Sequence, residues 1–116
     1  MTVNEKVISV LETFRLPVRP DFSDDDKEEY FTFDLIDDKA EVFGDDEPVG
    51  VIAYLQIHYA APIEKDYLSL KKKVRKALLR AGFSYPEVTD VTQKGDTVRH
   101  LVFECSVEND YELEEE

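Results

Sequence analysis

Tryptophan is absent from this 116-residue chain, cysteine and methionine occur once each, and there are only four glycines, five prolines and two histidines. Each scarcity closes off a class of protein. A lone cysteine, Cys105, excludes an intrachain disulfide, and nothing in the thiol content argues for an oxidising compartment. His58 and His100, with no cysteine or second histidine at ligand spacing, do not read as a zinc site. The few glycines form no phosphate-cradling loop, and neither GxSxG nor HExxH occurs. No apolar run approaches the roughly 20 residues that span a bilayer. The opening MTVNEKVISVLETF lacks the basic segment, long apolar stretch and small-residue cleavage site of a secretion signal. These absences predict a soluble, intracellular protein that is not an enzyme and needs no cofactor, no metal and no membrane.

What is present is enough for one core. The length suits a single domain, and 42% hydrophobic residues with six Tyr and seven Phe are not a disordered composition. Charge is the most informative feature, because it is abundant and unevenly spread. The chain carries a formal charge of −13. Residues 21–47 hold thirteen Asp or Glu against Lys27 and Lys39, a net of −11, and residues 104–116 hold seven acids and no base. Against this, the ten residues from Lys71 to Arg80 contain six cations and no acid, so everything outside them carries −19. Two such surfaces should attract one another between molecules.

Periodicity supplies the elements. Thr2 and Glu5 fit a capping box, followed by Val3, Val7, Val10, Leu11 and Phe14 on one helical face, so residues 3–15 read as a helix stopped by Leu16-Pro17. Phe31, Phe33 and Leu35 alternate with polar residues and predict a strand, with Asp37-Asp38 as a turn and Ala40–Phe43 as a short return strand. Residues 49–60 form the strongest strand, with Val51, Ala53, Leu55, Ile57 and Tyr59 on one side and a semi-polar set (Ile52, Tyr54, Gln56, His58) on the other. Residues 63–81 read as a second amphipathic helix, with Tyr67, Leu70, Val74, Ala77, Leu78 and Ala81 inward and Gly82 as its stop. Val88 and Val91 suggest a strand, Lys94-Gly95-Asp96 a hairpin loop, and residues 97–108 a last strand with Leu101, Phe103, Cys105 and Val107 inward. The prediction is a single α+β domain over residues 1–108: an antiparallel sheet of four or five strands against two helices, in the order α-β-β-β-α-β-β. Residues 109–116 read as a frayed acidic tail.

Candidate binding residues follow from charge. The acidic groups Asp24-Asp25-Asp26, Asp37-Asp38 and Asp45-Asp46-Glu47 lack the alternating spacing and distal Glu of a calcium loop and read as solvated loops. The cations Lys71, Lys72, Lys73, Arg75, Lys76 and Arg80 admit three readings: a plain solvated helix face, a nucleic-acid site, or a protein contact. Nucleic acid would gain from counterion release. It would also meet the repulsion of the remaining −19, and no aromatic interleaves Lys71–Arg80 to stack on bases. A protein contact is favoured, most economically with Asp24, Asp25, Asp26, Asp45, Asp46 and Glu47 of another copy. Such a contact joins two different patches, and it closes into a ring when the rotation allows.

Five stretches in succession carry a resemblance: YFTFDL (Tyr30–Leu35), FGDDEP (Phe43–Pro48), VIAYLQIHYAAP (Val51–Pro62), DYLSLKKKVRKALLRAGFSYPEVTD (Asp66–Asp90) and RHLVFECSVEND (Arg99–Asp110). Together they resemble the small tail terminator, or tail-completion, proteins of long-tailed phages and prophages of Gram-positive bacteria. The resemblance implies a sheet flanked by helices and a homo-hexameric ring that caps the tail tube and joins it to the head. Its partners would be its own copies, the tail tube protein and a head-completion or connector protein, with DNA only as passing cargo. It implies location in the host cytoplasm during assembly and in the virion tail afterwards, and it brings no catalytic residues. A head-completion adaptor is the neighbouring alternative, and a small DNA-binding regulator using residues 71–80 is the alternative of a different class.

Overall fold

A computed structural model describes residues 2–19, 28–44 and 47–109, with the side chains of 40–49 excepted. The elements run α1 (Val3–Glu12), β1 (Tyr30–Gly44), β2 (Glu47–Pro62), α2 (Leu68–Arg80), β3 (Glu87–Asp90) and β4 (Val98–Glu108). The protein is α+β, with two helices and one antiparallel four-stranded sheet in the order β1-β2-β4-β3. Among the described residues no helix is long and apolar enough to cross a membrane.

α1 begins as its sequence dictates. The Thr2 hydroxyl accepts from the Glu5 backbone N–H at 3.2 Å, and the Glu5 carboxylate accepts from the Thr2 N–H at 3.3 Å, so two otherwise orphaned donors are satisfied. The helix is shorter than the periodicity suggests: after Glu12 the chain turns, and Arg15 takes a left-handed φ of 59°. α2 also starts later than expected, at Leu68, because β2 runs on through Pro62. It ends in a Schellman motif. Gly82 at φ +100° donates to the Leu79 carbonyl, and Phe83 donates to Leu78 while its ring enters the core.

Both helices cover the same sheet face. Val7 and Leu11 of α1 and Val74 and Leu78 of α2 share one buried cluster with Leu55, Ile57 and Tyr59 of β2 and Leu101 and Phe103 of β4. Burying each such side chain is worth about 1.5–3 kcal/mol, so this cluster is the main source of stability. The alternation of inward residues on β2 and β4 matches the sequence expectation, Cys105 included; burial pushes its thiol up to about 12, which keeps it protonated and unreactive.

One element differs from expectation. Asp37-Asp38 is not a turn. β1 is a single 15-residue strand that pairs with β2 throughout, and the sheet has four strands. The physical reason is a β-bulge: Leu35 opposes Leu55 and Asp37 opposes Tyr54, so Ile36 is extra and two acidic residues are carried along the strand. Before Ile52, β2 pairs only with β1, and the molecule measures 54 × 25 × 24 Å. Asn109, placed by sequence at the start of the frayed tail, is buried: its N–H donates to the Val51 carbonyl and its side-chain amide to Asp38.

Candidate protein-interaction surface

The six cations of residues 71–80 all lie on α2, and the inward stripe fixes where they go. Val74 and Leu78 are fully buried, so Lys72, Lys73, Lys76 and Arg80 are exposed and Lys71 and Arg75 sit on the flank. Among the described residues, no carboxylate lies within 4 Å of any of the six. Arg75 alone is tethered: its Nε donates to the Pro86 carbonyl at 3.1 Å, and its guanidinium lies 4.3 Å from the centroid of the half-exposed Tyr85 ring.

The outer face of α2 is not uniformly polar. Leu68 is 62% exposed and Leu79 51%. Leu68, Lys72, Arg75 and Leu79 follow one another at i, i+4, i+7 and i+11, which is one row along a helix. Leu68, Lys71, Lys72, Arg75 and Tyr85 line a shallow hollow of about 150 Å³. The surface therefore combines two large apolar side chains with a field of positive charge. Leu68 and Leu79 fall outside the inward stripe in the sequence, but periodicity does not say whether another element covers them.

Of the acidic residues expected to meet this surface, Asp24, Asp25, Asp26, Asp45 and Asp46 lie outside the described residues. Glu47 opens β2 with its side chain outside them. The described end of the 21–29 segment is engaged within the chain: Glu28 pairs with Arg19 at 2.8 Å, and Glu29 accepts from the Tyr59 hydroxyl and faces Lys65 at 3.9 Å. Burial, reinforced by Glu29, holds the Tyr59 phenol well above its ordinary value, so it remains a donor.

At the bulge of β1, Leu35 is 46% exposed and Ile36 53%. Leu35 opposes Leu55, whereas Asp34 and Asp37 oppose Gln56 and Tyr54 on the other sheet face, where Asp34 lies 3.5 Å from His58 and Asp37 3.7 Å from Lys39. β1 is an outer strand of the sheet; Val18 bridges it at Phe31, and beyond that point its edge has no neighbouring strand among the described residues. The bulge was not foreseen, because its register is set by pairing with β2 and leaves no local mark.

The opposite sheet face holds the two histidines. β2 and β4 pair so that Ala60 opposes His100 and His58 opposes Val102, which brings His58 Nδ1 within 2.9 Å of His100 Nε2. His58 Nε2 also lies 3.5 Å from Asp34. Burial lowers both histidine pKa values, against the pull of Asp34 on His58, so one neutral ring donates to the other near pH 7. Among the described residues, no group of three metal-ligating side chains converges here or elsewhere. The chain matches no protein-family model, and no curated protein matches it.

Proposed function

We propose that this protein is a structural subunit of a long-tailed phage or prophage tail, a terminator that caps the tail tube as a homo-oligomeric ring and joins it to the head. The observation that carries the reading is the outer face of α2: six cations with no described carboxylate in ion-pair range, in a chain of net charge −13. A monomer has no use for that arrangement, whereas a ring of identical copies can set the basic face of one against the acidic surface of the next. The remaining negative charge suits a channel through which DNA slides without sticking. The sheet covered by helices agrees with what the resemblance implies for the fold.

The test is solution mass by light scattering over a range of protein concentration at low and high salt. A multimer that dissociates as salt rises supports the ring and its charge-paired contact. A single-chain mass throughout, unchanged by adding tail tube protein, overturns it.

One observation favours a second reading. Tyr85, just past the Gly82 stop of α2, stands beside Arg75 and gives the basic face the aromatic platform that residues 71–80 lack. If α2 binds nucleic acid, duplex affinity falls steeply with salt, with a slope reflecting several phosphates. Salt-insensitive or undetectable binding removes that reading.

A further inference from the structure

We propose that the outer face of α2 receives residues 110–116 (DYELEEE) of a second copy of this chain. This rests on the ring reading and names its contact, which differs from the acidic loops that the sequence suggested. Charge and apolar content match on the two sides. The α2 face offers six cations, the exposed Leu68 and Leu79, and the hollow that Leu68 and Tyr85 help to line. The segment offers five acids, no cation and two apolar side chains, Tyr111 and Leu113. The lengths match as well. Seven residues span about 23 Å when extended, and the 13 residues of α2 span about 20 Å.

Direction favours a second copy over the chain's own helix. At the start of α2, the Tyr67 ring centroid lies 4.5 Å from the guanidinium of Arg99, near the start of β4. Just past the end of α2, Ser84 donates to the Ser106 carbonyl at 2.8 Å. α2 and β4 therefore run side by side in the same sense. β4 continues beyond Ser106 to Glu108, and Asn109 is fixed by its bonds to Val51 and Asp38. The chain is thus delivered past the end of its own α2 and heading away from it, so residues 110–116 meet another copy without a reversal. The stretch 20–27 is a weaker match, because it includes Lys27 and its flanks are tied by the Arg19–Glu28 pair. Two α2 faces set against each other would bring six cations against six. A segment of one copy on a helix of the next joins different surfaces, the heterologous arrangement from which rings are built. Burying Tyr111 and Leu113 there excludes water and strengthens the ion pairs around them.

The test uses two full-length variants, each checked for fold by circular dichroism and thermal melting. K72E/K76E spoils the α2 face and keeps the segment. Y111S/L113S spoils the apolar pair of the segment and keeps its charges and the α2 face. Each variant alone is expected to need at least about tenfold more protein to assemble than the unaltered chain. Mixed in equal amounts, at a concentration where each alone runs at single-chain mass, they retain one good contact between them. The mixture should give a species of twice the single-chain mass and no larger. A mixture that stays at single-chain mass overturns the pairing of these two surfaces. Unimpaired assembly of Y111S/L113S overturns the segment as the occupant of α2 while leaving the ring standing. Failure of the unaltered chain to assemble under any condition removes both.

Discussion

The two helices lie on the same sheet face and bury equivalent stripes, Val3, Val7, Val10 and Leu11 in α1 and Val74 and Leu78 in α2, yet their outer faces differ in charge. α1 shows water a mixture of Asn4, Glu5, Ile8, Ser9 and Glu12, and its first turn is closed by a capping box. At the start of α2 the N-cap Tyr67 makes no side-chain cap, the Asp66 carboxylate accepts from the Leu68 N–H at 3.1 Å, and the outer face is cationic with two exposed leucines. Folding accounts for the buried stripe and the capped start of α1. It does not account for α2, whose outer charges work against the helix: Lys71 and Arg75, Lys72 and Lys76, and Lys76 and Arg80 are like charges at i, i+4, each pair destabilising by about 0.2–0.5 kcal/mol. Only Arg80, in the last turn, gains from the helix dipole. The inner stripe explains the fold, and the outer face is the surface that the proposed contact would use.

That division can be tested by substitution. The largest effect is expected on the inner side of α2, where Leu78→Ala removes a fully buried side chain beneath Phe83 and should lower unfolding free energy by about 2–5 kcal/mol. Leu79→Ala, one residue along and half-exposed, should change it by less than about 0.5 kcal/mol; urea denaturation of both variants measures the contrast. Equal losses would mean that Leu79 is core and that the two faces are not distinct. Next comes the end of α2. Gly82 sits at φ +100°, so Gly82→Ala should cost about 1–2 kcal/mol even though the added methyl meets no atom within 4 Å. At the start of α1, Thr2→Ala should cost about 1 kcal/mol by thermal melting, since it removes the acceptor for the Glu5 N–H.

What the sequence made legible follows the same line between local and paired structure. The capping box, the Gly82 stop and the alternation on β2 and β4 are local signals, and the structure bears each of them out. The turn at Asp37-Asp38 was misread because two adjacent aspartates look like a turn from the sequence, whereas long pairing with β2 overrides them and absorbs the mismatch as a bulge. The same cause hid the candidate surfaces. The cations of α2 are legible from composition, and Leu68 and Leu79 fall outside its inward stripe, but nothing local tells whether another element covers them. Tyr85 reaches Arg75 only through the chain reversal after Gly82, and the His58–His100 pair only through the β2–β4 register. Contacts between residues distant in sequence leave no periodicity to read.

The smallest expected effect separates the two roles of α2 most cleanly. Lys72→Gln with Lys76→Gln removes the i, i+4 repulsion between these two residues and that of Lys76 with Arg80, while glutamine keeps nearly the helix propensity of lysine. The isolated chain should therefore become more stable by a few tenths of a kcal/mol, read as a small rise in melting temperature at low protein concentration. Assembly should move the other way, with the concentration needed to form the multimer rising and its dependence on salt flattening, because two of the charges that salt screens are gone. Opposite signs for one substitution are hard to obtain from a merely solvated helix face, which predicts the gain in stability and no change in assembly. If both quantities fell together, the lysines would be supporting the fold itself, and the contrast between the two helices would be lost.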